Sequence, residues 1–212
     1  MILVRHGREV FRPCQNIAVH PTTRFRIAKA DLLLAMEQGA TAILHSHPGA
    51  SSDPSMIDRA GCEETGLRWI ILGLPDGDVT TIEPSGYEAP LVGRPYVFGV
   101  FDCWSLIRDY FIQEIGIPLP DFERREDFWL RGENLYLDHA EEAGFVRVPE
   151  ECLREHDVVL MALNSPIPNH GSVYVGDMKI LHHRTNRLSG HDVFGGYWQK
   201  STTHVFRHRS LV

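Results

Sequence analysis

The stretch Tyr96-Val-Phe-Gly-Val-Phe-Asp-Cys-Trp-Ser-Leu-Ile-Arg108 decides how the second half of this chain is read. It predicts an extended entry, a turn at Gly99 and an amphipathic helix whose first residue is Cys103. Leu106, Ile107, Tyr110 and Phe111 share one face of that helix, Gly116 stops it and Pro118 lies beyond. A thiol at a helix N-terminus meets the positive end of the macrodipole and unpaired backbone N–H groups, a setting that favours thiolate. Most isolated cysteines are nevertheless plain core residues. The chemistry therefore turns on whether a base is supplied elsewhere.

Downstream, residues 121–145 form an aromatic and charged region whose apolar side chains fit core packing. Leu135 to Ala143 reads as helix with Gly144 after it, and Glu155 to Leu163 as a buried strand. Two further strands, starting at His170 and at Met178, are joined by a hairpin turn at Gly176-Asp177. His170 opens the first and His182 closes the second, so the two lie near each other across the ladder. His182 and His183 point to opposite faces, and only one of them can join His170. A lone histidine at a strand end is commonly a surface or satisfied core residue. Cys103, His170 and His182 together offer a nucleophile, a base and a group that orients the base.

Upstream, the chain opens inside a strand at Ile2-Leu3-Val4, turns at Gly7 and continues through Val10-Phe11. This abrupt start predicts a further element before Met1. A polar connection through Asn16 and Pro21 leads to extended structure at Phe25 to Ile27. Asp31 to Glu37 reads as a helix with Leu32, Leu33 and Met36 at helical spacing and Gly39 as its cap. A buried strand over Thr41 to His47 places His45 and His47 on one face at its end. Ser55 then fits an N-cap and Asp58 the first helical turn. Two imidazoles and a carboxylate converging there match a three-ligand zinc site with an open fourth position; the plainer alternative is a helix cap beside two loop-edge histidines. That second helix runs to Gly66. Trp69 to Leu74 and Val79 to Ile82 form a hairpin about Asp76-Gly77, and residues 84–90 are the best domain boundary.

The bulk properties bound the partners. Twenty-eight acidic against 21 basic residues in 212 give a formal charge of -7, which argues against nucleic-acid binding. No apolar run reaches membrane-spanning length, and the N-terminus lacks the form of a secretory signal, so synthesis in a cytoplasm is expected. Cys14, Cys62, Cys103 and Cys152 show no paired spacing, which points away from disulfides and from cysteine-ligated zinc.

The pattern His45-x-His47-Pro, with ten residues between His47 and Asp58 and with Ser55 three before the aspartate, resembles the JAMM metallopeptidases. That resemblance implies His45, His47 and Asp58 as zinc ligands and Ser55 as the polar neighbour assisting an oxyanion. The family also uses a glutamate on an early strand as general base, whose place here falls before Met1. Glu9 follows the turn and Glu37 sits in the intervening helix, so the first half is expected to bind zinc yet hydrolyse poorly or not at all. Residues 91–212 resemble the NlpC-type cysteine peptidases, through Asp102-Cys103, the Tyr96 before them, His170 opening a strand that ends Tyr174-Val-Gly176, and the polar residue twelve later. This implies Cys103 as nucleophile, His170 as general base, His182 as orienting residue and Tyr96 as an oxyanion or substrate contact, with no cofactor needed. The family's usual glycine doublets around the cysteine are replaced by Phe98-Gly99 and Trp104-Ser105.

The expected fold is thus α+β in two domains, a JAMM/MPN-like α/β domain over residues 1–88 and a papain-like NlpC-type domain over 91–212. The rare pairing is similar to a family of tail tip proteins from lambda-like phages. It implies other tail tip proteins and peptidoglycan stem peptides as partners, with the D-γ-glutamyl–diaminopimelate amide as the bond cut. It also implies a place in the host cytoplasm during tail assembly and then at the virion tail tip, acting in the periplasm. A structural tail tip component with remnant sites, and a zinc-dependent peptidase in the first half, are the alternatives.

Overall fold

In a computed structural model, residues 1–18, 21 and 24–212 are described, so part of the Asn16–Pro21 connection lies outside the description. The chain divides into two compact units, Met1–Ala89 and Pro90–Val212.

In the first unit, β1 (Ile2–Arg5) and β2 (Arg8–Phe11) form an antiparallel hairpin, and β1 pairs with β3 (Ala40–Pro48). β3 runs parallel to β4 (Arg68–Leu74), and β5 (Val79–Ile82) closes the sheet in the order β2-β1-β3-β4-β5. The parallel pair needs a crossover, which α2 (Met56–Thr65) supplies; α1 (Lys29–Glu37) precedes β3. Leu3, Ile43, Cys62 and Trp69 form the core with Ala35 of α1.

The apolar residues of α1 and β3 are only partly covered. Leu33 and Met36 are exposed at 51% and 42%, because α1 turns Leu32 and Ala35 inward instead. β3 is half-buried rather than buried, with Ala42, Ile43 and His45 inside and Leu44 out. Phe25 and Ile27 pack on the core without joining a strand.

The second unit is a six-stranded antiparallel sheet in the order β10-β9-β8-β7-β11-β6. Its strands are β6 (Phe145–Val148), β7 (Val158–Met161), β8 (His170–Tyr174), β9 (Lys179–His182), β10 (Gly190–Val193) and β11 (Thr202–His208). The main helix, α3 (Cys103–Tyr110), continues through a wider turn over Phe111–Ile115 to Gly116, whose φ of 79° ends it. Short helices α4 (Leu135–Asp138) and α5 (Tyr197–Ser201) complete the unit. The helix expected over Leu135 to Ala143 is therefore one turn followed by tighter turns. The strand expected from Glu155 begins only at Val158, because His156 takes a φ of 73°. Leu106, Ile107 and Tyr110 of α3, and Phe111 just beyond it, are all buried in one cluster with Leu160, Val173 and Leu181 of the sheet.

Candidate active site and metal centre

Cys103 is placed by its neighbour. Asp102 caps α3, its Oδ1 accepting the Ser105 N–H at 2.9 Å while Ser105 Oγ accepts the Asp102 N–H at 2.8 Å. The other oxygen, Oδ2, accepts the Gly99 N–H and the Arg124 Nε–H, both at 2.9 Å. Arg124 also donates to Asp121 Oδ1 at 2.6 Å and to the Phe122 carbonyl at 2.9 Å. Asp102 and Arg124 are 1% and 3% exposed, so a fully bonded, desolvated ion pair fixes the start of the helix. Cys103, as the first helical residue, then offers a backbone N–H for which the helix supplies no acceptor.

His170 stands at the entry to β8, and Gly171 beside it sets the approach of α3. A Cβ at Gly171 would lie 2.9 Å from Ile107 Cδ1, closer than such contacts allow, so glycine lets the helix pack directly on the strand. In the β8–β9 ladder Ser172 faces His182, which makes His170 and His182 diagonal neighbours on one face. Their rings meet with His170 Nε2 3.0 Å from His182 Nδ1. His182 Nε2 is in turn 3.1 Å from Asp192 Oδ2 on β10, and Arg187 grips both Asp192 oxygens at 2.9 and 3.1 Å.

This relay assigns every proton. An ionised Asp192 only accepts, so His182 carries its proton on Nε2 and presents a bare Nδ1. His170 must then donate from Nε2, which leaves its Nδ1 as a base. Burial first, then His182 and Arg184, hold His170 well below the ordinary imidazole value. It is neutral at pH 7 and able to accept a proton.

Cys103 Sγ lies 3.1 Å from the Tyr136 hydroxyl in this conformer, and the backbone N–H of Gly171, next to His170, also favours its ionised form. Sγ and the His170 ring are not hydrogen-bonded to each other. Burial, followed by the charge of Asp102, pushes the thiol up, while Tyr136, Gly171 and Arg124 act the other way. The Tyr96 ring stands edge-on to His183, with centroids 5.2 Å apart, and burial, followed by the charge of Cys103, raises its phenol above the ordinary value. His183 is fully buried on the face of β9 opposite to His182, as period-two geometry requires.

Tyr136, Asp192 and Arg187 escaped the sequence reading. Tyr136 lay in the aromatic stretch assigned to core, and Asp192 needed the β9–β10 register to be known. Because the Tyr136 hydroxyl favours ionised Cys103, Tyr136→Phe is expected to shift the pH midpoint of iodoacetamide alkylation upward; an unchanged or lower midpoint would contradict that role.

In the first unit, His45, His47 and Asp58 converge as the spacing implies. His45 Nε2 is 3.1 Å from His47 Nε2 and 3.1 Å from Asp58 Oδ1, and His47 Nε2 is 3.3 Å from Asp58 Oδ2. Zinc held at ~2.0–2.1 Å by tetrahedral donors would separate them by ~3.3 Å, so this donor set fits the ion. The ring of His47 is oriented by its Nδ1, 2.9 Å from the Ser51 carbonyl, which leaves Nε2 free as a ligand atom. His45 is stacked on Phe25 at 4.4 Å and edged by Trp69 at 5.4 Å. Burial alone would raise the Asp58 pKa, but hydrogen bonds from His45 and Ser55 bring it down to about 2. Ser55 caps α2, accepting the Asp58 N–H at 3.2 Å. The loop after His47 is pinned where Asp78 Oδ2 accepts the Ser52 N–H at 2.7 Å, over Gly73, where a Cβ would come within 2.6 Å of that nitrogen. Glu9 is exposed and paired to Arg68 at 3.1 Å, and Glu37 is exposed on α1. The three donors form the one such cluster among the described residues.

The NlpC/P60 family model matches residues 93–207, and the model for prokaryotic homologs of the JAB domain matches residues 1–83. The chain belongs to the NlpC/P60 family through its second unit, joined to a JAB-type first unit. Over nearly its whole length it belongs with the phage proteins called tail tip assembly protein K. It is 38% identical over 206 residues to that protein of Escherichia phage N15, covering 96% of this chain and 84% of the relative. The lambda phage protein of the same name is 37% identical over 181 residues, covering 85% of this chain and 88% of the relative. Among solved structures, an NlpC/P60 family protein from Bacillus cereus gives a TM-score of 0.41 at 18% identity, covering 66% of this chain and 50% of that one. An NLP/P60 family protein from Staphylococcus aureus gives 0.39 at 21% identity, covering 55% of this chain and 37% of that one. No helix among the described residues is long and apolar enough to cross a membrane.

Proposed function

We propose that the second unit is a cysteine peptidase that hydrolyses a stem-peptide amide of peptidoglycan, the D-γ-glutamyl–diaminopimelate bond, for a phage tail tip. The observation that carries this reading is the Asp192–His182–His170 relay, whose inner end adjoins Gly171, the residue that packs on the helix beginning at Cys103 and turns its N–H to the thiol. Membership of the NlpC/P60 family and the tail tip relatives support the substrate class and the setting.

The reaction follows from the proton order. The thiol exchanges Tyr136 for His170, and Nδ1 of His170 takes its proton as Sγ attacks the amide carbonyl. The oxyanion is met by the free N–H of Cys103, with Tyr96 at the substrate side. His170, now imidazolium, hands the proton to the departing amine and leaves a thioester. Water deprotonated by His170 then releases the acid and restores the thiol. His182 and Asp192 keep the tautomer correct and steady the transient charge. New diaminopimelate amino termini, detected by mass spectrometry after incubation with purified peptidoglycan, test the proposal. The same products from Cys103→Ala would overturn it.

The converging donors of the first unit support a second reading, that His45, His47 and Asp58 hold zinc. The ion would supply Lewis-acid polarisation and a low-pKa water, with Ser55 beside it. Zinc added to the metal-stripped chain should bind at one per chain, and His45→Ala should lower its affinity by at least the roughly 10- to 100-fold that loss of an outer-shell partner costs. Equal zinc content in wild type and a His45→Ala, His47→Ala double variant would exclude this site. In the tail, other tail tip proteins are the expected partners. Assembly would take place in the host cytoplasm and the peptidase would act in the periplasm.

A further inference from the structure

Arg184 follows β9 two residues after His182 and turns its guanidinium over the ring of Trp198, 5.2 Å from the centroid. The same indole stands edge-on to His182 at 4.6 Å and 6.2 Å from the His170 ring. Trp198 is thus one platform shared by the relay and the cation. Arg187, the other cation nearby, is paired with both oxygens of Asp192, whose Oδ2 also accepts from His182. Among the described residues the Arg184 guanidinium has no carboxylate and no hydrogen-bond partner. It is half-buried, so aromatic contact rather than hydration positions it.

A cation in this place works against the reaction as long as it is unmatched. His170 must become imidazolium when it takes the thiol proton, and a like charge beside it opposes that step. An anion arriving with the substrate removes the opposition and gains a charge-assisted, forked hydrogen bond. The stem peptide carries such anions close to the scissile amide, in the α-carboxylate of D-glutamate and the carboxylates of diaminopimelate. We propose that Arg184, seated on Trp198 beside the His170–His182 pair, is the recognition point for a carboxylate of the peptide substrate. The assignment rests on the peptidase reading above and adds to it a specificity residue.

The test uses the full chain, as wild type, Arg184→Ala and Arg184→Lys, on three synthetic peptides. These are L-Ala-γ-D-Glu-diaminopimelate, its D-isoglutamine analogue lacking the glutamate α-carboxylate, and its lysine analogue lacking the second diaminopimelate carboxylate. Arg184→Ala should lower kcat/KM on the parent peptide by roughly 10- to 100-fold, and Arg184→Lys by less. Wild type should show a similar loss on one analogue, and on that analogue Arg184→Ala should cause no further loss. Whichever analogue behaves so names the carboxylate. Equal loss from Arg184→Ala on all three peptides, or wild-type indifference to both analogues, would overturn the assignment while leaving the peptidase intact. Failure of wild type to cut any of the three would overturn the peptidase reading and this assignment with it.

Discussion

Cys103→Ala is expected to abolish release of stem peptides, and His170→Ala to reduce kcat/KM by roughly 10²- to 10⁴-fold. The difference lies in what each removal leaves behind. Without the sulfur there is no covalent route, whereas without the imidazole a thiol still faces the N–H of its own helix terminus. The residual rate of His170→Ala should rise with pH, because hydroxide then has to ionise a thiol that burial has pushed up. His182→Ala should fall between wild type and His170→Ala. Its loss leaves the Nε2–H of a buried ring without an acceptor and frees His170 to adopt the wrong tautomer. Initial rates on the diaminopimelate tripeptide at several pH values give all three quantities. A Cys103→Ala protein that still cuts, or a His170→Ala protein within threefold of wild type, would refute the relay as the catalytic device.

The second large effect concerns stability. Arg124→Ala should cost about 3–5 kcal/mol, the range for stripping one partner from a buried ion pair. Asp102 would keep its bonds from Gly99 and Ser105 but would lie 1% exposed with an unbalanced charge. Arg124 also ties its own loop through Asp121 and Phe122, so the loop should loosen together with the helix start. Hydrogen exchange of the α3 amides in wild type and variant reports the change locally, without treating the two units as one transition. Arg124→Lys should restore only part of the loss, since one ammonium nitrogen cannot stand both where Nε meets Asp102 and where Nη1 meets Asp121 and Phe122. Protection of α3 lowered by less than about 1 kcal/mol would show that the pair contributes little.

The parts legible in the sequence were those set by local rules. The Gly99 turn and the spacing of Leu106, Ile107 and Tyr110 placed the start of α3 at Cys103. Alternation along the strands separated His182 from His183 and put His45 with His47. The illegible parts depended on contacts between distant segments. Tyr136 meets Cys103 across 33 positions, and its stretch offers only aromatic residues suited equally to core. Asp192 reaches His182 because Gly190 pairs with His182 across the β9–β10 ladder, a register that no nearby turn announces. The helix terminus at Cys103 was visible in sequence, whereas the burial that pushes its thiol up was not. In α1, Leu33 and Met36 were misplaced because periodicity marks an apolar stripe without showing which part of it is covered.

The relay has one further property. It runs from an almost dry interior to a wet edge: His170 is 5% exposed, whereas the side chains of Asp192 and Arg187 are 23% and 52% exposed. The tautomer of the buried base is therefore governed by an ion pair that dissolved salt can reach. Ionic strength acts on the reacting centre from outside, through two rings, without any ion entering the cleft. In Asp192 and Arg187 the protein carries a contact point between its surroundings and the buried imidazole.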